Sequence, residues 1–241
     1  MKMTKENNMK IFLIKLIVLV LFVIFLFYIS NIKIGEKRYF IMSSSVSIYN
    51  YTNFNEKELE KLKWFPILKD ISYTNVSMSD INWLREINSE VKECFISGSG
   101  INKLDITALN NTSIDLVSFT RLNVDDFSDV IDNNNIEVIY AWSYDGKSFS
   151  GLENFQSLEN VYIANAFNLT NCDSLKECSK LKSLTLVHSN ILHDYSSIFE
   201  IPKLEYLCID EGALSDEQVK TLIDNGVEVV LHDFNRNGYA E

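Results

Sequence analysis

Beyond the first forty residues, apolar positions recur in one short pattern, apolar-x-x-apolar-x-apolar. It falls at Leu68-Ile71-Tyr73, Val91-Cys94-Ile96, Ile114-Val117-Phe119 and Ile136-Ile139-Ala141. It returns at Leu158-Val161-Ile163, Leu181-Leu184-Leu186, Leu204-Leu207-Ile209 and Gly226-Val229-Leu231. Successive starts lie 22 or 23 residues apart, and every position except Gly226 is hydrophobic. The alternation that ends each unit marks a short strand with one buried face. A strand that recurs this soon leaves no room for a long crossover helix. Consecutive strands therefore stack as a parallel sheet, and each turn buries its apolar side chains only against its neighbours. The returning half of each turn has its own period of three, as in Phe149-Leu152-Phe155, Cys172-Leu175-Cys178 and Tyr195-Ile198-Ile201. That period predicts 3₁₀-like or irregular turns with one side inward.

The stretch LKSLTLVHSNILHDYSSIFEIPKL (181–204) resembles a leucine-rich repeat, specifically the 22-residue internalin type of bacterial surface proteins. The likeness lies in Leu181, Leu184, Leu186, Ile191, Asp194, Ile198, Ile201 and Pro202, and the repeat extends over about 68–231. It departs from the family at the asparagine that normally follows the strand, where Ser189, Ala166 and Gly212 stand instead. The resemblance implies an α/β solenoid of about eight repeats, with a parallel β-sheet on the concave face and short 3₁₀, irregular or helical segments on the convex face. It also implies a bacterial cell-surface setting and protein recognition.

Both ends of the array carry stop signals. Val46 and Ile48 predict a strand ahead of the first repeat. Asn55 is placed to cap a short helix with Glu58 reaching back, and Pro66 ends it. At the far end Ser215 and Gln218 make a capping-box pattern before Val219, Leu222 and Ile223; Asn225-Gly226 stop that helix, and Val227–Leu231 close the array.

Ile11 to Tyr28 is apolar apart from Lys15, which predicts a transmembrane helix over residues 11–30 preceding the solenoid. Its exit, Phe27-Tyr28-Ile29-Ser30-Asn31-Ile32, has no small-x-small cleavage signal, so the reading is an uncleaved signal anchor. Basic groups flank the segment almost evenly, which leaves its orientation open. The expected layout is a basic tail (1–10), the membrane helix (11–30), a juxtamembrane linker and N-terminal cap (31–67), the solenoid with its C-terminal cap (68–231) and a polar tail (232–241). The expected localisation is the cell membrane, single-pass, with the soluble domain outside the cytoplasm.

Charge narrows the partners. The formal net charge is −11, and beyond residue 38 it falls to −16, because seven of 22 basic but only two of 33 acidic groups precede that point. Nucleic acid, which needs clustered Lys and Arg, is excluded as a partner. Cys94, Cys172 and Cys178 occupy inward repeat positions and read as small buried hydrophobes, with a Cys172–Cys178 bridge as the alternative; Cys208 faces outward. Of His188, His193 and His232, two follow strands and one sits in a returning segment, and all three read as solvent-facing. No Gly-x-Ser-x-Gly, His-Glu-x-x-His or phosphate-binding loop occurs. The chain is read as no enzyme, with no cofactor and no metal site. Asp233-x-Asn235-x-Asn237-Gly238 matches the first half of a calcium loop, but the sequence stops at Glu241, before the twelfth-position acid, and calcium is left open.

Residues that alternate outward from the strands include Phe95, Val138, Tyr140, Trp142, Tyr162 and Tyr206, bordered by Asp210, Glu211 and Asp233. Aromatics on a solvated sheet suggest a binding surface, because Tyr and Trp dominate interface energetics. Cross-strand packing for stability is the competing explanation. The expected protein is a membrane-anchored leucine-rich-repeat binder presenting an acidic ectodomain with an aromatic concave face. A toxin-neutralising immunity-type envelope protein, an envelope enzyme with an unrecognised site, and a structural spacer are its rivals. Its expected contacts are a protein partner and, through residues 11–30, the membrane.

Overall fold

The computed structural model describes residues 2–50, 55–87, 90–98, 102–189 and 191–233. The chain opens with helix α1 (Lys2–Ile29). Its side chains from Phe12 to Leu26 are exposed and, apart from Lys15, apolar. The expected transmembrane helix over 11–30 is overturned: among the described residues no helix is long and apolar enough to cross a membrane. Lys15 places a charge inside the apolar run. The single-pass localisation and the membrane contact drawn from that helix fall with it.

Residues 31–67 are more than a linker. Strands β1 (Asn31–Ile34) and β2 (Lys37–Phe40) form an antiparallel hairpin around Gly35-Glu36, with Asn31 opposite Phe40 and Ile34 opposite Lys37. Gly35 has φ 58°, which lets the chain reverse in two residues. Ile32 and Ile34 face inward and join the main core. The Tyr39 hydroxyl donates to the Ser47 carbonyl at 2.6 Å, tying the hairpin to the next strand. A 3₁₀ helix over Glu56–Trp64 follows, and its Asn55 cap accepts from the Lys57 N–H at 3.2 Å. Glu58 does not reach back to that cap. It accepts the Gly35 N–H at 2.6 Å instead, so it anchors the hairpin.

The remaining strands are β3 (Ser45–Asn50), β4 (Asp70–Asn75), β5 (Glu93–Ser97), β6 (Leu116–Phe119), β7 (Val138–Ala141), β8 (Asn160–Ala164), β9 (Ser183–Val187), β10 (Tyr206–Asp210) and β11 (Glu228–His232). They make one nine-stranded sheet, in chain order, with every neighbouring pair parallel. Leu184 stands opposite Val161 on one side and Leu207 on the other, so the repeat positions share one buried spine. The strand foreseen at Val46 and Ile48 is β3, and both side chains are buried.

The returns fold as the period of three requires. Short 3₁₀ turns occupy Asn82–Glu86, Thr107–Asn111, Leu152–Asn154, Asp173–Glu177 and Ser196–Glu200. Each turns an apolar side chain inward: Leu84, Leu109, Leu152, Leu175 and Ile198. The last return is a true helix, α2 (Asp216–Asp224), started by a complete Ser215–Gln218 capping box. Amide side chains stitch successive returns together. Asn133, buried, donates to the Leu109 carbonyl and accepts the Asn135 and Ile136 N–H groups at 2.9 and 2.8 Å. Asn154 donates to the Val130 carbonyl at 2.7 Å. These bonds satisfy backbone groups that a coil without helix or sheet would leave orphaned.

The expected polar tail begins one residue later than placed, because His232 ends β11. Asn235, Asn237 and Gly238 of the calcium-like motif lie outside the described residues.

Candidate functional site

Parallel pairing aligns the outward residues into columns along the sheet. The central column runs Ser47, Ser72, Phe95, Ser118, Tyr140, Tyr162, Thr185, Cys208 and Val230. Tyr140 and Tyr162 therefore sit side by side, with ring centroids 5.5 Å apart. Trp142, just past β7, lies nearly parallel to Tyr162 at 6.0 Å. The strip is open to solvent: Tyr140 is 40% and Trp142 47% exposed. Val138 lies on the same face of β7, two residues before Tyr140.

The other expected members stand apart. Ser118 separates Phe95 from Tyr140, and Asn160 and Ser183 separate Tyr206 from Val138. The structure thus gathers Val138, Tyr140, Trp142 and Tyr162 and leaves Phe95 and Tyr206 outside.

All four cysteines are free thiols, so the Cys172–Cys178 bridge is absent. Burial alone pushes the Cys94 thiol far above its ordinary range, and burial is also the main cause that lifts Cys178 to about 12. Cys172 is raised for the same leading reason, partly offset by a hydrogen bond with Ser197. Cys208, half-buried on the outer face, is the accessible one. In native protein at pH 8, iodoacetamide is expected to modify Cys208 first and Cys94 only at the rate of unfolding, as read by peptide mass mapping. Equal rates at both would contradict the assigned inward register.

The histidines were expected to face solvent, and His193 does. His188 is buried, and its ring meets that of His232 edge-on with centroids 5.1 Å apart. Asp210 lies between their strands, opposite His232 in the β10–β11 register. It was read as a rim acid; its Oδ2 accepts the backbone N–H groups of His188 at 2.6 Å and Ser189 at 3.3 Å. His188 has φ 58°, a left-handed backbone that redirects the chain one residue after β9. Its Nδ1 lies 2.9 Å from Asn165 Oδ1, and Asn165 Nδ2 donates to the Trp142 carbonyl at 3.0 Å. Burial is the chief cause that lowers the His188 pKa; the Asp210 charge opposes it and His232 reinforces it. The repeat spacing alone places Asp210 beside His232. The left-handed turn that adds His188 is a backbone event that the apolar pattern does not record.

No protein-family model matches the chain, and no curated protein matches it in sequence. Among solved structures, the chain is similar to an internalin from Listeria monocytogenes at 16% identity and a TM-score of 0.46. The match covers 72% of this chain and 58% of the internalin, so this chain spans less than two thirds of that protein's length.

Proposed function

We propose that this chain is a non-catalytic binding protein whose solenoid presents the Tyr140–Trp142–Tyr162 strip to a protein partner. The observation that carries the reading is three aromatic rings held against one another on the solvent face of the sheet, with Trp142 about half exposed. Rings fixed by backbone pairing and by each other lose little side-chain freedom on contact, which leaves more of the buried area as affinity. The repeat type that the sequence resembles is consistent with a surface or secreted setting.

A second reading is supported by the same ring contacts, namely that they serve stability across strands. Each aromatic pair contributes about 0.5–1.5 kcal/mol. The two readings part in one experiment. Trp142→Ala combined with Tyr162→Ala is expected to abolish capture of partners from the host's own lysate while lowering stability by about 1–3 kcal/mol. Identical capture profiles for wild type and double variant would overturn the binding role. A loss of unfolding free energy well beyond that range would make the rings structural.

A further inference from the structure

At the β11 end of the sheet, three side chains with metal-ligating atoms converge from consecutive turns. One such atom from each of His188, Asp210 and His232 lies within 4.8 Å of the others. His232 Nδ1 is 3.7 Å from Asp210 Oδ1. Both atoms are buried, and among the described residues neither has a hydrogen-bond partner. A buried polar atom left unsatisfied is costly, so two facing one another are an unfavourable arrangement unless something else engages them.

The surrounding hydrogen bonds orient the three groups. Asn165 spends its Nδ2 on the Trp142 carbonyl, so the atom it turns to His188 is Oδ1, an acceptor. His188 Nδ1 must then carry the proton and donate, which puts the ring's lone pair on Nε2. Asp210 uses Oδ2 for the backbone N–H groups of His188 and Ser189, which directs Oδ1 toward His232. An imidazole that gives its second N–H to a carbonyl oxygen, and a carboxylate braced through its other oxygen, are the arrangements that hold ligands in place around metal ions.

From this geometry we infer that His188 Nε2, Asp210 Oδ1 and His232 Nδ1 bind a divalent transition-metal ion of the zinc class, with solvent completing its coordination. Two nitrogens and one oxygen suit zinc and its neighbours and do not suit calcium or magnesium, which take oxygen ligands. A tetrahedral ion with bonds of ~2.1 Å holds its ligand atoms ~3.4 Å apart, so closure needs side-chain shifts of about an ångström. The site lies outside the aromatic strip and does not depend on its role. The sequence reading of no metal is replaced by this one.

The test uses the untagged full chain, treated with EDTA and desalted. Cobalt(II) is expected to bind in one equivalent with the visible absorption of a four-coordinate nitrogen–oxygen site, and zinc to displace it. His232→Gln and Asp210→Asn are each expected to weaken binding at least about tenfold, while His193→Gln leaves it unchanged. His232 ends the outermost strand and is half-buried, so circular dichroism and melting of His232→Gln in EDTA are expected to match wild type. A readout in the unaltered protein stands beside the variants: zinc is expected to shift the ring NMR resonances of His188 and His232 but not those of His193. Absence of saturable one-equivalent binding, unchanged affinity in both ligand variants, or equal shifts at His193 would each overturn the site.

Discussion

Gly151→Ala is expected to lower unfolding free energy by about 3–4 kcal/mol. Two costs combine there. The residue has φ 93°, a conformation that L side chains rarely adopt, and the new Cβ would lie 2.3 Å from the Phe127 carbonyl carbon and oxygen and 2.5 Å from the Ser128 nitrogen. Those atoms are backbone of the adjoining turn and cannot rotate away. The turn is also pinned, since the Phe127 N–H donates to the Ser150 carbonyl at 2.8 Å. Gly226→Ala separates the two causes. Its φ is 88°, but nothing lies within 4 Å of an added Cβ, so only the conformational cost of about 1–2 kcal/mol remains. Urea denaturation of both variants measures the difference. Equal losses would mean that the Phe127 backbone moves aside and that contact between turns is softer than drawn.

Leu184→Ala is expected to cost about 3–4 kcal/mol. Leu184 is fully buried on β9, with Val161 and Leu207 in register on either side. The cavity is therefore walled by two strands that backbone hydrogen bonds hold in place and that cannot collapse into it. Because each turn is stabilised only by its neighbours, the loss falls on two interfaces at once. Hydrogen exchange is expected to quicken in β8 and β10 together, with β4 and β5 unaffected. Uniform acceleration along the whole sheet would show that the solenoid unfolds as a single cooperative block.

The solenoid was legible because one physical demand, a leucine-sized side chain at each inward strand position, is written once per turn. Val161, Leu184 and Leu207 fall in register as their spacing requires. The hairpin was not recognised, although Ile32 and Ile34 alternate with polar neighbours and Gly35 follows directly. Its strands are four residues each and adjoin an apolar run that drew attention to a membrane. That run itself was plain in composition, but among the described residues no helix is both long and apolar enough to cross a membrane. The aromatic strip was half legible. Alternation identified which residues point outward, but which rings meet depended on what stands between them, so Ser118 detaches Phe95 while nothing intervenes between Tyr140 and Tyr162. The histidine pair escaped because His188 leaves the strand through a left-handed residue.

The constant turn length makes this molecule a ruler whose graduations are strands about 4.8 Å apart. The aromatic strip spans β7 and β8, the imidazole pair spans β9 to β11, and Asn165 joins them through the Trp142 carbonyl and the His188 ring. Duplicating one turn between β8 and β9 would leave every other strand pairing intact, break the contact between Asn165 and His188, and move the two features apart by a single graduation. Copy number in the array thus sets the distance between the aromatic strip and the imidazole pair.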